Sequence, residues 1–132
     1  MTAMPKAIEN WHHYMKSHGP AALDLLLADD VVFESPVVHT PQAGKAITNA
    51  YLTAAAKVLS NDQFRYVNEW YGDHSAVLEF TTVLDGIFVN GIDMIFWDDR
   101  DRITRFKVMV RPLKAVNQIH QMMGQALLAA KG

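Results

Sequence analysis

The sequence contains no cysteine, so it can form neither a disulfide nor a zinc–thiolate site, and it offers no thiolate nucleophile. An excess of positive charge is also lacking, because 12 Lys and Arg side chains stand against 14 Asp and Glu, a net charge of -2. Such a chain lacks the basic field that attracts phosphate backbones. No apolar run approaches the roughly 20 residues that cross a bilayer, and the N-terminal residues lack the pattern of a targeting signal. We therefore expect a soluble, cytoplasmic protein with no nucleic-acid partner and no membrane contact.

Metal-binding spacings are missing as well. The six histidines include no HExxH or HxH arrangement, so we predict no metal site and no cofactor. What the sequence does have is apolar content: half of its 132 residues are hydrophobic. This is enough for one core and too little for two, which predicts a single domain over residues 1–132.

Four stretches show the apolar spacing of amphipathic helices. Gly19 and Pro20 separate the first two, and the second ends at Asp29 and Asp30. The last has an apolar stripe that begins at Leu113. The predicted helices cover residues 5–18, 20–28, 45–59 and 113–130.

From residue 61 the pattern changes to short alternating runs that are typical of strands. These runs are FRYVNEWY, SAVLEFTTVL, IFVNGIDMIFW and ITRFKVMV, and Asp85-Gly86 predicts a tight two-residue hairpin between the second and the third. An earlier run, VVF, predicts one more strand. The order indicates an α+β fold: a cone-shaped, curved antiparallel sheet wrapped around the N-terminal helices, with a C-terminal helix. We expect a small hydrophobic molecule to bind in the mouth of this cone.

The strand at residues 87–97 is apolar on both faces. Val89, Ile95 and Trp97 lie on one face, whereas Phe88 and Phe96 lie on the other. Helices can cover one face, and the simplest cover for the other is the sheet of a second copy. The sequence therefore predicts a homodimer that forms through the sheet.

Several stretches carry a resemblance to known proteins: LADDVVFESPV, TPQAG and AITNAY in the first half, and GID and DDRDRITRFKVMV in the second. Together they resemble ketosteroid isomerases and, more widely, the nuclear transport factor 2-like superfamily. The resemblance covers residues 8–111 and rests mainly on the order of elements. That superfamily includes SnoaL-like polyketide cyclases, scytalone dehydratases and limonene epoxide hydrolases. Their shared device is a carboxylate, sometimes with a histidine, at the bottom of an apolar cone.

The resemblance also implies roles for three positions. Ketosteroid isomerases use an aspartate base after the first strand, and a tyrosine and a protonated aspartate that donate to the substrate oxygen. An ungapped alignment puts Ser35 at the base position, Trp11 at the tyrosine position and Asp93 at the protonated-aspartate position. A serine hydroxyl is too weak a base to deprotonate a carbon acid unaided. The resemblance therefore implies an apolar pocket around Asp93, and it argues against a true steroid isomerase.

Asp93 is the main candidate catalytic residue. It lies between Ile92 and Met94 in an apolar strand, where an ionised carboxylate without a partner is costly. We interpret it as an acid or base with a raised pKa that faces the ligand. The alternatives are a structural carboxylate paired with Arg105 or Lys107, and a carboxylate that faces water at a strand bend beside Gly91.

Glu79 is the other carboxylate inside a strand. If it shares the face of Asp93, the two form a coupled acid/base pair. If Leu78 and Phe80 mark the core face, Glu79 points to solvent. Both interpretations stay open at this point.

His39, in the loop after the first strand, is the second candidate catalytic residue, because histidine is a base near neutral pH. The alternative is a loop histidine that faces solvent. A further set of side chains is predicted to line the pocket, although the same spacing is typical of an ordinary core. The predicted ligand-binding residues are Trp11, Tyr14, Phe33, Ser35, Tyr51, Glu79, Phe106 and Val108.

Two functions are consistent with these patterns. The first is a small hydrophobic-ligand-binding enzyme of the isomerase or cyclase type, which acts on a carbonyl compound by proton transfer without a cofactor. The second is a non-catalytic ligand-binding or protein-interaction module of the same fold. Asp93 favours the first function, whereas Ser35 and Trp11 favour the second.

Overall fold

The computed structural model describes residues 3–17 and 19–131. The helices and strands, in chain order, are α1 (Lys6–Ser17), α2 (Pro20–Leu26), β1 (Leu27–Glu34), β2 (Gln42–Ala43), α3 (Lys45–Leu59), β3 (Arg65–Tyr71), β4 (Ser75–Leu84), β5 (Ile87–Trp97), β6 (Ile103–Arg111) and α4 (Leu113–Lys131). Residue 18, the predicted end of the first helix, lies outside the described residues. In this part of the chain, no helix has both the length and the hydropathy needed to cross a membrane.

The strands form a six-stranded sheet in the order β2-β1-β6-β5-β4-β3. Strand β1 runs parallel to β6, and the other neighbours are antiparallel. Between β4 and β5, Asp85 and Gly86 have φ angles of 49° and 79°, the left-handed pair that a tight hairpin needs. The predicted α+β fold class, a curved sheet with N-terminal helices and a C-terminal helix, is confirmed. The sheet was predicted to be antiparallel and is so except between β1 and β6, which pair in parallel because the chain crosses over between them.

Strand β1 is longer than the sequence predicted. The second helix ends at Leu26 rather than at Asp29, and the strand begins at Leu27. The reason is a distant partner, because Leu27 pairs with Ile103 of β6 and is fully buried there. Tertiary pairing thus overrides the local helical preference of this leucine-rich run.

The inner face of the sheet and the helices enclose the core. Alternate residues of β4 and β5 point inward, so that each strand is buried at every second position. The last helix packs against the core through Ala115, Ile119 and Met123. Leu113, predicted to lie in its apolar stripe, is 75% exposed because it stands at the first position of the helix, outside that packed face.

The outer face of the sheet is apolar and uncovered in the single chain. Trp70, Phe88 and Met109 expose about half of their surface there, and Ile92 and Met94 lie between them on β5. Arg105 and Lys107 also lie on this face, where both pair with the carboxylate of Glu34. The two faces of the sheet therefore differ: helices cover one, and nothing in the described chain covers the other.

Candidate functional site

Asp93 lies on the inner face of the sheet, in the middle of β5. Its cross-strand neighbours are Leu78 on β4 and Val108 on β6, both of them buried apolar residues. Only 6% of Asp93 is exposed, which makes it the one carboxylate among the buried residues of the described chain. Arg105 and Lys107, its predicted alternative partners, pair with Glu34 on the opposite face. Asp93 therefore has no cationic partner in the described part of the chain.

Two side chains from other elements hold Asp93 by a chain of hydrogen bonds. The hydroxyl of Tyr66 on β3 donates to Asp93 Oδ2 at 2.6 Å. Trp11 Nε1 on α1 donates in turn to the Tyr66 hydroxyl oxygen at 2.9 Å. The N–H of Trp11 and the O–H of Tyr66 are thus both used in this series of hydrogen bonds, which ends at one carboxyl oxygen of Asp93.

Burial dominates the electrostatics of this site. It raises the pKa of Asp93 from 3.8 to about 7, and the hydrogen bond from Tyr66 opposes that rise. Burial, together with the charge of Asp93, also holds the pKa of Tyr66 well above its usual value. Tyr66 is therefore a neutral phenol that donates its proton, and Asp93 changes charge close to neutral pH.

The second carboxyl oxygen of Asp93, Oδ1, accepts no hydrogen bond from the described residues. The side chain of Asp93 also forms part of the wall of a pocket. The pocket is otherwise almost entirely apolar. Its lining residues are Trp11, Met15, Leu52, Ala55, Ala56, Leu59, Ser60, Phe64, Tyr66, Phe80, Asp93, Phe106 and Val108. A group with one oxygen held and one oxygen available is suited to exchange a proton with a bound molecule.

The pocket is a narrow slot. The empty space in the pocket and at its opening is about 370 Å³, but the centre of a water molecule has access to only about 30 Å³. Three aromatic rings form part of the wall: Phe64 stacks on Phe80 with ring centroids 5.3 Å apart and meets Tyr66 edge-on at 5.1 Å. The slot therefore favours a small, flat molecule.

Gly91 brings an aromatic ring close to the sheet beside Asp93. A Cβ at this position would lie 2.5 Å from Phe80 Cζ and 2.7 Å from the carbonyl oxygen of Met109. Because contacts this short do not occur, only glycine allows Phe80 to lie flat over the strand. Gly91 is thus a determinant of the pocket wall.

The structure brings together four of the residues that the sequence predicted for the site. Asp93, Trp11, Phe106 and Val108 all line the pocket. Three further predicted residues lie in or against the core but not in the pocket wall: Tyr14, Phe33 and Tyr51. Phe33 packs between Tyr51 and Phe106, at centroid distances of 5.4 and 6.3 Å.

The other three predicted site residues lie elsewhere. Ser35 Oγ accepts a hydrogen bond from the backbone N–H of Val37 at 3.1 Å and so stabilises a turn. His39 is an exposed loop residue. Glu79 lies on the outer face, where the amides of Asn68 and Asn90 donate to its carboxylate and lower its pKa. These positions give Ser35, His39 and Glu79 no access to the slot.

The sequence interpretation missed Tyr66, which holds Asp93, and the aromatic neighbours Phe64 and Phe80. The signal for Phe64 and Tyr66 was their two-residue spacing, which puts both on one side of the extended chain that leads into β3. The signal for Phe80 was its apolar alternation with Leu78 and Leu84 in β4. For a metal, the described residues offer no group of three or more His, Cys, Asp or Glu side chains.

A second pocket adjoins the first on its outer side. The two share the wall residues Met15, Ser60, Phe64 and Tyr66. The outer pocket gives water access to about 320 Å³ and is lined in addition by His12, Lys16, Asn61 and Arg65. It is therefore a wide, polar entrance to the narrow apolar slot.

Solved structures resemble this chain over most of its length. A steroid delta-isomerase from Pseudomonas aeruginosa is 33% identical, with a TM-score of 0.88 over 94% of this chain and 90% of that one. An uncharacterized bacterial protein with a cystatin-like fold from Silicibacter pomeroyi is 25% identical, with a TM-score of 0.85 over 92% and 85%. An NTF2-like protein of unknown function from Mesorhizobium loti is 21% identical, with a TM-score of 0.69 over 81% and 89%.

No protein-family model and no curated protein matches the chain. The match to the Pseudomonas aeruginosa structure nevertheless joins one third identity to nearly complete coverage of both chains. It agrees with the resemblance seen in the sequence and with the curved sheet and the order of elements. The chain belongs to the nuclear transport factor 2-like superfamily.

Proposed function

We propose that this protein is a cofactor-independent enzyme that moves a proton on a small carbonyl compound, with Asp93 as the base. One observation carries the proposal: a buried carboxyl group, with a pKa of about 7, has one oxygen held by Tyr66 and the other without a protein partner at an apolar pocket. A base with a pKa near the working pH is well suited to proton transfer. Among the described residues, no other carboxylate lines the slot.

The reaction begins when Asp93 Oδ1 takes a proton from a carbon next to a carbonyl group. The C–H bond breaks, an O–H bond forms on Asp93, and the electron pair remains on the substrate as an enolate. In an isomerisation, the proton returns from Asp93 to a different carbon. In a cyclisation, the enolate carbon attacks a second carbonyl, and Asp93 returns the proton to the new alkoxide.

The hydrogen bonds of the site restrict the substrate. Tyr66 donates to Asp93 and Trp11 donates to Tyr66, so neither is free to stabilise an enolate oxygen. The remaining hydroxyl of the slot, that of Ser60, lies where the slot meets the outer pocket. The substrate must therefore supply its own acidity, and a CH₂ group between two carbonyls, as in a β-diketone, does so.

The similarity to the steroid delta-isomerase of Pseudomonas aeruginosa supports proton transfer beside a carbonyl group. Two observations favour a different substrate. Ser35 stands at the position of the base that the resemblance implies, and it lies in a turn outside the slot. The slot is also narrow, which favours a flat, linear compound over a steroid.

Deuterium exchange into a simple β-diketone, followed by NMR, tests the proposal. We expect the protein to accelerate the exchange and Asp93→Asn to lose that acceleration, because an amide cannot accept the proton. Glu79→Gln is the matched control, since it removes a strand carboxylate of the other face. The proposal is refuted if the wild-type protein binds the diketone but leaves its exchange rate unchanged.

That outcome would favour the alternative function, a non-catalytic ligand-binding module. The observation in its favour is the pair Ser35 and Trp11, which replaces two of the three groups that the resemblance implies. Binding of the diketone with equal affinity by the wild type and by Asp93→Asn would support it.

The proposed location of the protein is the cytoplasm. Fractionation of cells that produce the protein tests this proposal.

The proposal includes a homodimer in which two outer sheet faces meet. Its support is the exposed apolar surface around Trp70, Phe88 and Met109. We expect Met109→Lys to convert a dimer into a monomer in sedimentation velocity, because a charge would be buried at the interface. Leu128→Lys, which changes an exposed leucine of α4, is the control. A monomeric wild-type protein would contradict this part of the proposal.

A further inference from the structure

We infer that the outer pocket binds an anionic group at the far end of the substrate, so that the substrate is a β-dicarbonyl compound with a remote carboxylate. The inference rests on the proposed function, because it names the substrate class of the same site. Three features of the outer pocket support it: its positive charges, a buried hydroxyl group without a hydrogen-bond partner, and a rigid turn.

The outer pocket contains two cations without a carboxylate partner. Lys16 on α1 and Arg65 at the start of β3 both line it. Neither makes an ion pair with any carboxylate of residues 3–17 and 19–131. The other titratable groups of the lining are Tyr66, which donates to Asp93, and His12, whose Nε2 lies 2.8 Å from Glu69 Oε2. The lining itself contains no carboxylate among the described residues, so Lys16 and Arg65 give it a positive charge.

Arg65 is held in place by its own turn. Its Nη1 donates to the carbonyl oxygens of Asp62 and Phe64, at 3.3 and 3.2 Å. Both acceptors are neutral backbone oxygens, and the carboxylate of Asp62 takes no part in the contact. The positive charge of Arg65 is therefore oriented but not neutralised. A guanidinium fixed in this way is ready to bind a carboxylate through its remaining N–H groups.

Ser60 contributes a second feature of an anion site. Its hydroxyl oxygen is buried and has no hydrogen-bond partner among the described residues. Ser60 is one of the wall residues that the slot and the outer pocket share. A buried hydroxyl without a partner is unfavourable unless a ligand supplies one, and a carboxylate oxygen can accept a hydrogen bond from it.

The turn that carries these groups is rigid. The side chain of Asn61 donates to the carbonyl oxygen of Val83 and accepts from the N–H of Gln63 and from the hydroxyl of Thr82. These bonds tie the turn between α3 and β3 to strand β4. Ser60 and Arg65 are therefore positioned before any ligand arrives, which lowers the entropic cost of binding.

The two pockets together predict how the substrate is arranged. Its acidic CH₂ group lies at Asp93 in the slot, and a carboxylate lies between Lys16 and Arg65 in the outer pocket. Met15 and Phe64, which line both pockets, contact the apolar chain that joins the two ends. This chain keeps the substrate carboxylate away from the ionised Asp93, which would repel it.

Binding of a matched pair of probes tests the inference. The first probe is a linear β-diketone with a terminal carboxylate three methylene groups from its nearest carbonyl, and the second is its methyl ester. Amide shifts of Arg65 and Tyr66 in NMR titrations give both affinities. We expect the wild type to bind the acid about tenfold more tightly than the ester, and added salt to reduce this ratio.

The variant Lys16→Gln/Arg65→Gln should bind both probes almost equally. Lys57→Gln/Arg100→Gln, which removes two exposed cations outside the pocket, should keep the preference for the acid. Lys16→Gln alone should lose part of it, and this variant leaves the hydrogen bonds of the turn intact. A wild type that binds both probes equally, or not at all, overturns the inference, as does a double variant that keeps the preference.

The proposed function is decided separately. Exchange of the uncharged ester, and its loss in Asp93→Asn, report on the base whether or not the outer pocket binds an anion. Failure of the charge preference with intact exchange therefore refutes only the inference. Failure of exchange with both probes refutes the proposed function.

Discussion

Glu79 and Asp93 are two carboxylates in similar sequence surroundings with opposite properties. Each stands between apolar residues in the middle of a strand, and the two strands are neighbours in the sheet: Leu78 pairs with Asp93, and Glu79 pairs with Ile92. On the outer face, two asparagine amides lower the pKa of Glu79. On the inner face, burial raises the pKa of Asp93 to about 7.

The difference shows that strand parity, rather than the neighbouring residues in the sequence, decides what a carboxylate in this sheet can do. Glu79 keeps its charge over the neutral range because water and amides stabilise the ionised form. Asp93 gains and loses its proton near neutral pH because its surroundings penalise the charge. Each of the following experiments alters one side of this contrast.

The largest effect should appear in catalysis. Asp93→Asn should lower the rate of deuterium exchange into a β-diketone by about 10²- to 10⁴-fold, the usual contribution of a general base. Glu79→Gln should stay within about twofold of the wild type, since its carboxylate has no access to the slot. In the wild type the rate should rise with pH and level off above about 7. An equal loss of exchange rate in Asp93→Asn and Glu79→Gln would contradict the proposed difference between the two carboxylates.

Stability should depend on pH in a way that only Asp93 explains. Its pKa is about 7 in the folded protein and near 3.8 in the unfolded chain, so between these values the folded state holds the extra proton. Stability should therefore fall as pH rises through this window, by roughly 4 kcal/mol over the whole window and by roughly 3 kcal/mol between pH 5 and pH 8. Asp93→Asn should abolish the fall and raise the melting temperature at pH 8. Urea unfolding at pH 5 and pH 8 measures both effects.

Glu79→Gln is again the control, and it should keep the fall in stability between pH 5 and pH 8 because Asp93 is intact. The pKa of Glu79 is lowered in the folded state, so its stabilising effect is present at neutral pH and is lost on acidification. A wild-type protein whose stability does not fall between pH 5 and pH 8 would contradict the account.

A change beside Asp93 should show how tightly the inner face is packed. Gly91→Ala should destabilise the protein by about 1 to 3 kcal/mol, because the new methyl group would push Phe80 away from the strand. Gly124→Ala, in α4, meets no atom within 4 Å and should stabilise the protein by about 0.5 to 1 kcal/mol through helix propensity. Thermal unfolding measures both, and stabilisation by both would show that the inner face has room to spare.

The smallest effect concerns the hydrogen bonds to the two carboxylates. Tyr66→Phe removes the donor to Asp93 and should raise the pKa of Asp93 by about one unit, seen as a shift of the pH–rate profile to higher pH. Asn68→Ala removes one of two amide donors from the exposed Glu79 and should leave this profile unchanged. A profile that Tyr66→Phe does not move would show that Tyr66 only fills space.

The inner position of Asp93 follows from local sequence. The hairpin between β4 and β5 has a two-residue turn, so Leu84 faces Ile87, and counting away from the turn pairs Leu78 with Asp93. Leu78 belongs to the alternating buried residues of β4, which assigns Asp93 to the same face. The sequence interpretation left this parity open although Asp85-Gly86 determines it.

The partner of Asp93 could not be found in the same way. Tyr66 lies in β3, where a register shift between Tyr66 and Asn68 breaks the count along the hairpin with β4. Its contact with Trp11 joins residues 55 positions apart, and the start of β1 likewise depends on a distant strand. Local patterns therefore predicted the four helices, five of the six strands in the described residues and the buried carboxylate. They did not predict the short strand β2, and the chain of hydrogen bonds depends on tertiary packing.

The most direct test is a ¹³C NMR titration of the carboxyl groups of Asp93 and Glu79, assigned with Asp93→Asn and Glu79→Gln. The account predicts a pKa of about 7 for Asp93 and a pKa below its usual value for Glu79. An Asp93 pKa near 3.8 would show a hydrated or ion-paired carboxylate and would contradict both the buried site and the function proposed for it.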